Sequence, residues 1–306
     1  TPLDPRVLDA MLPYFRERFG NAASRTHAYG SEAADAVETA RQQAAGLIGA
    51  DPREIVWTSG ATESDNLAIL GTAGPKGGHV VTVATEHRAV LDPCEVLEKR
   101  GLRLTWLKVD AQGRLDLDRL AAAITKATTL VSIMHANNET GLLHPIREIG
   151  ALCKARGVLF HTDATQSCGK ELIDVEADGI DLLSASAHKL HGPKGAGLLY
   201  VRRKNPRVRC EPLLFGGGHE KGLRSGTLNV PAIVGFGAAA VLAKSEGPAD
   251  RARIRVLRDR LERGLGGRVN GDPAQRLVNT TNLSFKGKDG AVRAAALGEL
   301  AKTQSP

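Results

Sequence analysis

Residues 184–197 read SASAHKLHGPKGAG, which places Lys189 between His188 and His191, after small residues and before a Gly/Pro turn. An amine so placed meets little side-chain clutter. The ordinary alternative is a solvated turn lysine, because lysine is rarely buried without a partner. Two further segments argue against it. TSGATESDN at 58–66 and HTDATQSCGK at 161–170 each join an apolar run to a polar turn. Together the three stretches supply an anion cradle, a carboxylate and a reactive amine, which are the needs of a pyridoxal phosphate site.

Working outward, Gly60, Ala61 and Thr62 stand between a predicted strand and a predicted helix. Free backbone N–H groups and the positive helix end attract a phosphate there, and the Thr62 hydroxyl adds a donor. A glycine turn before a helix is commonly structural, so the signal needs the other two segments. Asp163 follows the run VLFH, where a carboxylate can keep a pyridine nitrogen protonated, although a lone aspartate in that position is usually a cap. Gln166, three residues on, can reach the phenolic oxygen of the same cofactor.

Around these segments short β-rich runs alternate with helical stretches. The runs are 54–58, 79–83, 103–107, 130–134, 158–161, 182–184 and 198–201, with helices predicted at 5–19, 63–70, 87–100, 117–125 and 145–156, the last with proline in its first turn. Ser31 is placed to cap a long helix carrying the apolar stripe Ala33, Val37, Ala40, Ala44, Leu47 and Ile48, with Gly49 as its stop. This is an α/β pattern with a mainly parallel sheet, whose ligands bind beyond the carboxyl ends of strands. The segment KSEGPAD at 244–250 shifts composition, predicting a large domain over 1–246 and a smaller, incomplete one over 247–306.

The chain has 306 residues and a net charge of +7, yet shows no zinc-finger spacing and few aromatic residues, which argues against nucleic acid. Its arginines concentrate in 251–268 between Ile254, Leu257, Leu261 and Leu265, as on a solvated helix face. Cys94, Cys153, Cys168 and Cys210 form no CxxC pair, so no metal site or disulfide framework is indicated and a reducing, cytoplasmic setting fits. Apolar runs such as 238–243 are too short to span a bilayer.

TSGATES, EHRAVL, HANNETG, HTDATQSCGK, SAHKLHGPKG, GGGHEKGLRSGT and NLSF occur in the order seen in cysteine desulfurases of the class V aminotransferase group, which the chain resembles over nearly its whole length. The resemblance implies a fold-type I pyridoxal 5'-phosphate enzyme, normally a homodimer. It implies conversion of L-cysteine to L-alanine, with sulfur passed to an acceptor or scaffold protein for iron–sulfur clusters or thiolated tRNA. On that resemblance Lys189 is the Schiff-base lysine, His87 the residue stacked on the ring, Asp163 the pyridinium partner and Gln166 the phenolate contact. Ala61, Thr62, Ser186 and His188 resemble the phosphate-binding set, Asn138 the residue touching cofactor and substrate, and Thr227 the one reaching the neighbouring subunit's phosphate.

The family carries its nucleophilic cysteine in a loop resembling SGSAC or STQSAC well after NLSF, and this sequence reads AKTQSP at 301–306, where that loop begins. A chain shortened at both ends is therefore expected: a cofactor-binding core without the nucleophilic cysteine, the substrate-carboxylate arginine or the first strand with its ATT turn. Cys168 is the only cysteine beside cofactor residues, and packing beneath the cofactor is its expected role. The alternatives are an inactive scaffold paralogue that pairs with a full-length desulfurase or an acidic partner, and a selenocysteine lyase-like enzyme.

Overall fold

The computed structural model describes residues 1–24 and 26–285. The β-rich runs form seven strands: β1 (Ile55–Thr58), β2 (His79–Val83), β3 (Arg103–Leu107), β4 (Thr128–Ser132), β5 (Leu159–Asp163), β6 (Leu182–Ser186) and β7 (Gly197–Val201). They build one sheet in the order β1-β7-β6-β5-β4-β2-β3. From β3 to β6 every pairing is parallel. The strand β7 is antiparallel to both β6 and β1. A parallel return needs a crossover of a dozen or more residues, whereas residues 187–196 only turn back on themselves.

Alternate residues of the central strands feed two different cores, as the period of two requires. Val81, Phe160, Leu183, Leu198 and Tyr200 pack with α3 (Ala28–Ile48), α7 (Ile146–Arg156) and α8 (Val230–Leu265). Val80, Leu130, Leu182, Leu199 and Val201 pack with α4 (Ala61–Lys76) and α5 (Arg88–Lys99). The sheet is thus covered on both faces, and its edge strand β3 is the least buried. Short helices α1 (Pro5–Met11), α2 (Pro13–Arg16) and α6 (Leu117–Ala123) complete the described helical layer.

Several boundaries differ from those expected. The helix predicted over 5–19 breaks at Leu12, because Pro13 starts a new turn. The cap of α3 is His27, whose Nδ1 accepts the Gly30 N–H at 3.1 Å, and Ser31 lies inside the helix; Gly49 closes it at φ +69° as expected. Strand β4 starts two residues earlier than its apolar run, so that Met134 leaves the sheet towards the site. The helix α8 runs unbroken through 244–250, Pro248 included, so the expected domain boundary falls inside a helix. Beyond it β8 (Arg268–Val269) pairs with β9 (Leu283–Ser284), and Arg276 makes a bidentate bond to Glu262 at 2.6 and 2.8 Å. By length and composition alone α8 is long and apolar enough to cross a membrane, as core helices also can be. Its buried residues Ile233, Phe236, Ala239 and Ala240 face the core.

The end of β4 and the segment returning from it bury His135 and His144, whose backbones pair at 2.9 Å and three of whose four ring nitrogens lack a hydrogen-bond partner. Burial pushes each imidazole down to about 4. Between pH 6.5 and 4 the unfolded chain then binds more protons than the native one, so these groups take stability away as pH falls. Their contribution is fully present above pH 6.5. For His144 the loss between pH 7 and pH 5 is about 2 kcal/mol. The stability advantage of wild type over His144→Gln, read from urea melts, is expected to shrink by that amount over this range; a pH-independent difference would contradict it.

Candidate active site

Strands β1, β5 and β6 all point their carboxyl ends towards one cavity of about 560 Å³. At one wall the β1–α4 turn contributes Ser59, Gly60, Ala61 and Thr62. No side chain caps α4, so its first backbone N–H groups remain available to an anion. The turn is held from behind: the Ser64 hydroxyl lies 2.7 Å from Thr58 Oγ1 and donates to the Leu198 carbonyl at 2.9 Å. It also presses on β7, where a Cβ at Gly197 would stand 2.5 Å from the Gly60 backbone. Glycine at 197 is therefore a requirement of close approach. Ser186, at the end of β6, and His188, one turn later, line the same cavity.

The opposite wall is acidic and buried. Asp163 ends β5, is buried, and accepts the Thr165 N–H at 2.8 Å. Asp65, on the face of α4 that covers β5, is wholly buried with no hydrogen bond to either oxygen, its Oδ1 3.5 Å from His161 Nε2. Glu86 accepts the Met134 N–H at 2.6 Å with Oε1 and leaves Oε2 unpartnered. Burial, and then the neighbouring Asp163, pushes Asp65 and Glu86 well above the usual carboxylate range. Burial also raises Asp163, against the hydrogen bond from Thr165 and the charges of His87 and Lys189. Burial holds His161 down to about 3, so it is a neutral bridge, with Nδ1 2.8 Å from Ser132 Oγ and Nε2 3.0 Å from Ser184 Oγ. No lysine or arginine is ion-paired to these carboxylates among the described residues.

Lys189 lies between the two walls, on the short turn Ala187–Lys189 that follows β6. His87 caps α5 by accepting the Ala89 N–H on Nδ1 at 3.1 Å, and it lines the cavity. Asn138 and Gln166 complete the lining named above. A pyridoxal phosphate has an anionic end, an aldehyde and a basic ring nitrogen. The anion cradle, the amine and the orphaned acid wall fit those three parts in turn.

Residues 1–301 match the family model of class-V aminotransferases. A curated relative, cysteine desulfurase IscS of Anaeromyxobacter sp. (strain Fw109-5), is 57% identical over 98% of this chain and 76% of its own length. The chain belongs to the cysteine desulfurases of the class-V aminotransferase family. Cysteine desulfurase IscS of Shewanella loihica is 52% identical, again over 98% of this chain and 76% of that one. Among solved structures, a NifS-like protein superposes with a TM-score of 0.94 at 37% identity, covering 98% of this chain and 83% of its own. SspA in complex with cysteine gives 0.87 at 38% identity, covering 97% and 84%.

Within this desulfurase fold the cavity gathers Ala61, Thr62, His87, Asn138, Asp163, Gln166, Ser186, His188 and Lys189. Thr227 does not line it and is exposed. The second histidine flanking Lys189 turns away: His191 adopts φ +61° and its Nδ1 lies 3.0 Å from the Pro2 carbonyl. Cys168 is completely buried, with its thiol pushed up to about 12 by burial, and none of the four cysteines lines the cavity. The stretch 301–306, where the family's cysteine loop was expected to begin without its cysteine, lies outside the described residues. Sequence reasoning missed Asp65, Glu86 and Thr165. The first was legible in principle, since Asp65 shares the TSGATESDN segment and an α4 face with Ala68 and Thr72.

Gly197→Ala is expected to force the Gly60 turn aside, costing about 1–3 kcal/mol of stability as overpacking does. Pyridoxal phosphate titrated against the variant should show weakened binding. An unchanged melt and titration would show that the close approach is not needed.

Proposed function

We propose that this desulfurase binds pyridoxal 5'-phosphate through Lys189, converts L-cysteine to L-alanine, and yields the sulfur to an acceptor protein serving iron–sulfur cluster or thio-cofactor assembly. The single observation that carries this reading is Lys189 placed between an anion cradle and a buried acid wall to which no lysine or arginine is ion-paired among the described residues. The backbone N–H groups at Ala61 and Thr62, with Ser186 and His188, would hold the phosphate. Asp163 would hold the proton on the ring nitrogen, His87 would cover one face of the ring, and Gln166 would donate to its phenolic oxygen. Asn138 would orient cofactor and substrate together. The bound cofactor supplies an electron sink for the bonds at the substrate Cα. The Lys189 amine would move the α-proton.

The thiol that takes the sulfur must be nucleophilic and accessible, and Cys168 is neither. Cys168→Ala should leave cofactor capture and sulfur transfer as they are. The proposal includes a homodimer in which Thr227 reaches the second copy's phosphate, and a cytoplasmic location, supported by four unpaired cysteines.

Alanine formation from L-cysteine by the full chain loaded with pyridoxal phosphate tests the reading. Lys189→Ala should lower the rate by about a thousandfold or more, the scale of a lost acid–base group. Folded, cofactor-loaded wild type that yields no alanine would favour an inactive scaffold instead.

A further inference from the structure

The loop 213–228, which carries Thr227, is clasped to the β1–α4 unit at two points. The first clasp is Glu220, which sits at φ +49° beside Lys221 at φ +60°, a left-handed conformation that non-glycine residues seldom adopt. Its carboxylate takes a bidentate bond from buried Arg41, at 2.8 Å to each oxygen, and accepts the Trp57 N–H of β1 at 2.8 Å. The loop backbone is thus held in a strained shape by a buried ion pair.

The second clasp reaches the anion cradle. Arg224 donates through Nε to Glu63 Oε1 at 2.9 Å, and both side chains are largely shielded. Glu63 Oε2 accepts the Ser59 N–H at 2.7 Å and the Ser59 hydroxyl as well. Ser59 is a lining residue of the cradle and Glu63 lies in the first turn of α4, directly after Thr62. Burial alone would raise the Glu63 carboxyl, but the bonds from Ser59 and Arg224 hold it below its ordinary value. On the loop side Ser225 is buried, Gly226 turns at φ +112°, and Asn229 caps α8 by accepting the Ala232 N–H. Thr227 is therefore suspended between the Arg224 anchor and a helix cap.

We infer that Arg224 and Glu63 are positioning residues that couple the phosphate cradle to the Thr227 loop, so that anion occupancy in one copy and presentation of Thr227 to another copy are a single linked equilibrium. Both Glu63 oxygens are engaged in the chain Ser59–Glu63–Arg224, one by Ser59 and the other by Arg224 Nε, so a shift at either end strains a charge-assisted bond. The inference rests on the reading of the cradle as a phosphate site and of Thr227 as the residue offered to a second copy. Linkage then requires that dimerisation strengthen phosphate binding by the factor with which phosphate strengthens dimerisation.

The test uses pyridoxal phosphate and pyridoxal, which differ only in the anion, trapped on Lys189 with borohydride and titrated by absorbance. In Glu63→Gln and Arg224→Met, pyridoxal phosphate should bind about tenfold more weakly while pyridoxal changes by about twofold at most. The double variant should lose little more than either single one. Arg224→Lys should recover part of the loss. Sedimentation should show pyridoxal phosphate tightening the wild-type dimer and failing to tighten either single variant. Wild type that does not prefer pyridoxal phosphate over pyridoxal would refute the phosphate reading. A wild-type preference that both single variants retain in full would overturn the coupling alone, and so would equal weakening of both ligands.

Discussion

Charge balance among buried carboxylates is the constraint on which the rest of the site depends. Asp65 and Asp163 line one wall and Glu86 is buried near Asp163, with no lysine or arginine ion-paired to any of them among the described residues. Three carboxylates in such a place cannot all ionise, because desolvation and mutual repulsion both favour the neutral acid. A cationic ring nitrogen held beside Asp163 would give that carboxylate a partner, while burial keeps Asp65 and Glu86 well above the usual carboxylate range. The wall is thus selective for a ligand that brings a positive charge at one end, and the N–H groups of α4 select a negative charge at the other.

The sheet explains how these opposite demands are met within one cavity. Parallel strands deliver Asp163 and Ser186 to a common edge, where the first turns of α4 and α5 also open. The reversal into β7 then has two effects. It frees the short turn that presents Lys189, and it brings Gly197 hard against the Gly60 turn, so that cradle and lysine are set by the same close contact. The loop clasped by Arg41 and Glu63 wraps this unit from outside.

Much of this was legible from residue order. Strands β2 and β3 begin and end where their apolar runs do, because nothing but backbone pairing competes there. The nine residues gathered in the cavity were named from three segments and the family pattern, and each segment enters it. What could not be read locally came from tertiary packing. Nothing in LLYV announces an antiparallel strand, and nothing in KSEGPAD announces that α8 runs through it with Pro248 inside. The acid wall was missed because an aspartate inside a helix reads as a solvated residue until the sheet beneath it is known.

The most direct measurement is to reduce the pyridoxal phosphate-loaded protein with borohydride and map the modified peptide. Lys170 and Lys194 also stand near Lys189: Lys194 lines the same cavity, and Lys170, lowered to about 8 by burial, shares a smaller one with it. The cavity geometry predicts the label on Lys189 alone. A label on Lys170 or Lys194, or none on a folded protein, would contradict it.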